Sequence, residues 1–176
     1  MTTHRPDAVS GRKTKSVRDI SSGRDSFTEQ DHLYMNAALE EARKALNHGD
    51  VPVGAVIVQK GRIIGRGHNR REVDRDVTAH AEILALREAG ACSGGWRLEG
   101  AFLYVTLEPC PMCAAAIVQA KIAQVIYGVD DPRLGAAGSL LNLMQFPGFH
   151  HDVSVRSGLE AEACGNLLKD FFIEKR

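Results

Sequence analysis

The sequence predicts an α/β protein of three layers, with helices on both faces of a mixed central sheet of about five strands. Three observations lead there. The 176 residues suit one hydrophobic core. Short β-rich runs alternate with helical periodicities. The first two runs flank Lys60-Gly61, the mark of an antiparallel hairpin within an otherwise alternating order. Taken in order, Thr28 and Asp31 resemble a capping box, Leu33, Leu39, Ala42 and Leu46 follow at broadly helical spacing, and Gly49 ends this first helix. Gly54–Gln59 and Arg62–Gly65 are the hairpin strands, and a second helix runs from near Thr78 to Gly90. Phe102–Thr106 reads as a buried strand, Pro111 to about Ala120 as a helix, and Gln124–Gly128 as another strand. Past the Gly135-Ala-Ala-Gly138 turn, the reading gives a short helix over 139–145 and a short strand over 152–156. In the final helix Ser157 and Glu160 read as a second capping box, with Leu159, Leu167, Leu168, Phe171 and Phe172 as the apolar stripe.

Composition narrows the function classes. Lys plus Arg and Asp plus Glu both number 22, which excludes nucleic-acid binding by bulk charge, so any RNA or DNA must be held locally. No run approaches the ~18 apolar residues of a membrane span. The first thirty residues lack the apolar segment of a secretory signal, so a reducing cytoplasm is expected, with the four cysteines as thiols or ligands. Residues 1–26 hold six basic residues against three acidic and no aromatic, and read as a disordered basic arm ahead of one domain over 27–176. The arm is either a solvated tail or a source of sequence-blind attraction to phosphates.

Two clusters carry metal-ligating chemistry: His80 in Thr78-Ala-His-Ala-Glu82, and the thiols of Glu108-Pro-Cys-Pro-Met-Cys113. Each opens a predicted helix. Cys110 and Cys113 are neighbours across one turn, and Pro111 suits a first helical position, where its missing N–H has no partner. The positive end of a helix favours the thiolate, the form that binds zinc. His80 and Glu82 stand about 200° apart around a helix axis and converge only at its end. The expectation is a site between two helix N-termini at the edge of the sheet, holding one Zn2+ per subunit through His80, Cys110 and Cys113. Three protein ligands leave the fourth position open, as in catalytic zinc. Cys92, in a Gly-rich loop, and Cys164, on the apolar face of the last helix, are the candidates to close it, and neither is well placed.

Glu82 then has work to do. Bulk water and a carboxylate differ by ~11 pKa units, on the order of 15 kcal/mol, which a carboxylate alone does not bridge. Beside zinc the mismatch falls to about 3 units, within reach of a positioned base. The pair suits hydrolysis.

Through His80-Ala-Glu82 and Pro109-Cys-x-x-Cys113 the sequence resembles the zinc-dependent nucleoside and nucleobase deaminases. Within them, residues 28–173 are most similar to the bacterial tRNA-specific adenosine deaminases. That closer likeness is carried by Val51-Pro-Val-Gly-Ala55, His68-Asn-Arg70, Tyr104-Val-Thr-Leu-Glu-Pro-Cys110, Gly135-Ala-Ala-Gly-Ser-Leu140 and Asp170-Phe-Phe172. The resemblance implies a cytidine-deaminase-like fold, a homodimer and a tRNA anticodon stem-loop as partner. It also implies conversion of the wobble adenosine of an arginine tRNA to inosine, with Glu82 shuttling protons while zinc-activated water attacks C6 of a flipped base. Asn69 would hydrogen-bond that base, Val53 and Ala81 would line its pocket, and Phe171 or Phe172 would help hold the anticodon loop. The Ala-rich helix from Pro111 to Ala120 is a surface for close packing against a second subunit. The sequence departs from the family pattern at Val77, where proline is usual, and at Ala115, where glycine is usual. The runner-up reading is a deaminase of free nucleobases or nucleosides, guanine or cytosine first. A non-catalytic zinc module that binds RNA is the different-class alternative.

Overall fold

The computed structural model describes residues 27–175; the expected arm over 1–26 lies outside them. The element order is α1 (Glu29–Leu46), β1 (Gly54–Gln59), β2 (Arg62–His68), α2 (Arg71–Asp74), α3 (Ala81–Ser93), β3 (Phe102–Leu107), α4 (Pro111–Gln119), β4 (Gln124–Val129), β5 (Ser154–Ser157) and α5 (Ala161–Glu174). The strands form one sheet in the order β2-β1-β3-β4-β5. β1 pairs antiparallel with β2 and β3, while β3, β4 and β5 run parallel. The sheet is therefore mixed, as the hairpin requires: Lys60 and Gly61 both take positive φ, the turn that matches strand twist.

Alternation along the strands divides the core. Val56, Val58, Tyr104 and Ile126 face α1 and α5, packing with Met35, Ala38, Leu39, Leu159 and Cys164. Ala55, Ile57, Leu103, Val105, Val125 and Tyr127 face the opposite layer, where α3 and α4 contribute Ala81, Ala85, Ala89, Ala114 and Ile117. The α3 contact is unusually close. A Cβ on Gly67 would overlap the Ala81 carbonyl, and one on Gly65 would overlap the Ala85 carbonyl, so the helix backbone rests directly on β2. This seats the N-terminus of α3 against the end of the hairpin.

The first helix forms as its caps direct. Thr28 Oγ1 accepts from the Asp31 N–H, and the Asp31 carboxylate accepts from the Thr28 N–H at 2.9 Å. Asp31 is further gripped by the Tyr104 hydroxyl at 2.7 Å and by Arg156 at 3.3 Å.

The C-terminal third corrects three expectations. Residues 139–145 form turns, not a helix: the Ala137 and Ser139 N–H groups go to the distant Glu108 carboxylate, and a lone bridge joins Ala137 to Asn142. The short strand sits at Ser154–Ser157, slightly later than 152–156. No capping box opens α5. Ser157 ends β5, Glu160 is itself the left-handed N-cap, and its carboxylate meets His32 Nδ1 at 2.6 Å.

Candidate metal centre and active site

The ligands stand where two helices begin. His80 is the N-cap of α3 and Cys110 the N-cap of α4, with Pro111 in the first turn and Cys113 three residues after the cap. His80 makes no side-chain capping bond to α3, which leaves its imidazole free to turn toward the thiols of α4. His80 Nδ1 lies 3.7 Å from Cys110 Sγ and 3.6 Å from Cys113 Sγ. A tetrahedral zinc with its usual bond lengths sets N and S corners about 3.6 Å apart, so the three donors fit the ion. Among the described residues they form the only cluster of three or more such groups that could hold a metal. Cys110 follows β3, the middle strand, so the cluster sits over the carboxyl end of the sheet, where α/β proteins bind ligands.

Electrostatics agree with a cation site. Hydrogen bonding from Cys113, and then from His80, holds the Cys110 thiol down to about 4. The same bond to Cys110, joined by burial, pushes the Cys113 thiol up. The hydrogen bond to Cys110 raises His80 above its ordinary value. A divalent ion takes both sulfurs as thiolates, so its binding releases thiol protons. Glu82, two residues into α3, is 4% exposed, and burial pushes its carboxyl up to about 7.

These groups open onto a cavity of about 140 Å³, room for a small planar ligand rather than a single water. His80, Ala81, Glu82 and Cys110 form its floor, and Val53 and Asn69 line it from the hairpin side. Asn69 is held at both ends of its amide. Nδ2 donates to the Val51 carbonyl at 3.1 Å, and Oδ1 accepts from the Arg71 N–H at 3.3 Å. Behind it, buried Asp50 accepts the Glu72 and Val73 N–H groups at 2.8 and 3.2 Å and so anchors α2. Phe171 and Phe172 do not line the cavity. Phe171 is buried against α5's surroundings with Lys175 Nζ 4.9 Å above its ring, and Phe172 is exposed. Cys164 is a buried thiol and Cys92 an exposed one. Val77 projects into solvent, and Ala115 is half-buried on α4.

The sequence reading named no role for Arg71, Leu107, Glu108, Asp131 or Leu134, all of which line the cavity. Glu108 had a signal, since it abuts Pro109-Cys110; Asp131 and Leu134 had none beyond following a strand.

Residues 28–129 match the family model for the cytidine and deoxycytidylate deaminase zinc-binding region. A tRNA-specific adenosine deaminase of Bacillus subtilis is 52% identical over 147 residues, covering 84% of this chain and 91% of that protein. A solved structure from work on A-to-I editing by tRNA deaminases at the wobble position aligns with a TM-score of 0.75 and 48% identity, covering 77% of this chain and 99% of the other. A guanine deaminase of Bacillus subtilis aligns with a TM-score of 0.54 and 37% identity, covering 59% of this chain and 66% of the other.

Proposed function

From the premise that this chain belongs to the zinc-dependent cytidine and deoxycytidylate deaminase family, and within it to the tRNA-specific adenosine deaminases, we propose that it converts the wobble adenosine of a tRNA anticodon, that of an arginine tRNA first, to inosine. It is a zinc-dependent deaminase acting on adenosine in tRNA, with the metal held by His80, Cys110 and Cys113. Bound there, zinc supplies the Lewis acidity that makes water a nucleophile near neutral pH.

The remaining chemistry belongs to the chain. Asn69, its amide already oriented by Val51 and Arg71, keeps hydrogen-bonding capacity for the edge of an extruded base, while Val53 and Ala81 flank its faces. Glu82 takes the proton of the attacking water and delivers one to N1 as C6 becomes tetrahedral. It then takes the proton of the new C6 hydroxyl and passes it to the amino group, which departs as ammonia as the C6 carbonyl of inosine forms. A carboxyl brought near neutrality by burial is suited to giving and taking protons in one cycle. Unstacked loop bases are the substrate such a cavity admits, and Phe171 or Phe172 on α5 would support the loop from outside it.

The observation that carries this reading is the convergence of His80, Cys110, buried Glu82 and Asn69 on one cavity, with Cys113 completing the donor set. The guanine deaminase likeness favours the runner-up, a free-base deaminase, over a shorter span. Turnover of an anticodon stem-loop, free adenosine, guanine and cytosine separates them: inosine is expected in the stem-loop, and conversion of the free bases alone would discard the tRNA reading.

The chain is further proposed to work as a homodimer in a reducing compartment such as the cytoplasm. Half-buried Ala115 and Ala116 on α4 and exposed Leu134, Leu140, Leu141 and Phe146 support a second subunit. No described helix is long and apolar enough to cross a membrane. Residues 1–26 are proposed to be a basic N-terminal arm, either a solvated tail or a source of attraction to phosphates, ahead of the deaminase domain over 27–176.

A further inference from the structure

One buried carboxylate at the cavity takes no part in those proton transfers. Glu108 is 2% exposed, follows β3 and precedes Pro109-Cys110, so its backbone is continuous with a metal ligand. Its side chain accepts three backbone N–H groups from one irregular segment. Oε2 takes that of Asp131 at 3.0 Å, and Oε1 takes those of Ala137 at 2.9 Å and Ser139 at 3.0 Å. The same junction is closed by the Glu108 N–H to the Val129 carbonyl and the Ala136 N–H to the Pro109 carbonyl, each 2.9 Å. A Cβ on Gly135 would overlap the carboxylate, so the segment wraps it with bare backbone. Asp131 and Leu134, which line the cavity, ride on this segment.

We propose that Glu108 is a positioning residue: its carboxylate ties the strand end that carries Cys110 to the outer wall of the cavity and so sets the width of the slot that receives the base. The inference rests on the deaminase reading and assigns substrate fit, as distinct from metal binding or proton transfer, to one side chain. Three converging donors need acceptors only. Glutamine turns one of the two oxygens into a donor aimed at another N–H, leaving a buried donor without a partner. The wall then loosens while His80, Cys113 and Glu82, seated on α3 and α4, stay put.

The test uses the zinc-loaded full chain and an anticodon stem-loop RNA. Glu108→Gln is expected to raise KM about tenfold or more and leave kcat within about threefold, the signature of lost binding rather than lost chemistry. Hydrogen exchange at the Asp131, Ala137 and Ser139 amides should quicken, with α3 and α4 unchanged. Gly135→Ala strains the same junction from the loop side and should raise KM likewise; it decides the matter where Glu108→Gln does not fold. An unchanged KM, or a loss of kcat alone, overturns the proposal. A wild-type chain inactive on the stem-loop would sink the deaminase reading instead, and the tether then stands or falls on the exchange rates of those three amides.

Discussion

The floor of the cavity is made of helix ends, whereas its walls are irregular chain held by buried carboxylates. His80, Glu82, Cys110 and Cys113 are fixed because α3 and α4 pack as whole elements against the sheet. Asn69 and Arg71 on one side, and Asp131 and Leu134 on the other, depend on a handful of hydrogen bonds to Asp50 and Glu108. Rigid elements give the precision that a metal and a proton shuttle require. Tethered loops give a fit that can change without disturbing the chemistry, so the two properties should come apart under mutation.

The largest effects belong to the floor. Cys113→Ala is expected to lose bound zinc and to lower stem-loop deamination by roughly 10³-fold or more, read by metal analysis and inosine yield. Glu82→Ala should keep one zinc and the fold yet lose about 10²–10⁴-fold in kcat; a variant that still turns over would remove Glu82 from the mechanism. A wall variant sharpens the contrast. Asp50→Ala leaves the Glu72 and Val73 N–H groups unpartnered, costing about 1–3 kcal/mol in denaturant unfolding and raising KM a few-fold with little change in kcat. The smallest effect lies away from both regions: Thr28→Ala should cost about 1 kcal/mol and leave the kinetics alone.

The same capping box predicts a pH dependence. Burial pushes the Asp31 carboxyl up, but the Thr28 backbone N–H, the Tyr104 and Thr28 hydroxyls and Arg156 outweigh it, so the group is held below its ordinary 3.8. A carboxyl lowered by folding contributes stability above pH 3.8 that is lost as pH falls through the folded-state value. The stability gap between wild type and Asp31→Asn should be full at pH 7 and narrow below pH 3.8; a gap that does not change with pH would contradict this.

The floor was legible in the sequence, and of the walls only Val53 and Asn69, through the family resemblance; the rest was not, for one physical reason. Capping residues, Pro111, the i, i+3 thiols and the Lys60-Gly61 turn act over a few residues, so local patterns expose them. Their helix and strand assignments held to within a few residues. The one-turn α2 is too short to show a period, and it is anchored from Asp50, 22 residues away. Likewise 139–145 has a composition that fits a helix, but Glu108, 31 residues before Ser139, captures the N–H groups that a helix needs. Glu160 was misread because its partner, His32, lies at the other end of the chain.

Gly65 and Gly67 carry no chemistry, yet they determine how far the histidine stands from the thiols. Any side chain at either position would act as a wedge, lifting α3 and withdrawing one corner of the metal's cage along with the acid beside it. A tolerance map of the chain should therefore mark these two featureless residues as unforgiving as the ligands themselves, an intolerance that inspection of the reacting groups alone would never suggest.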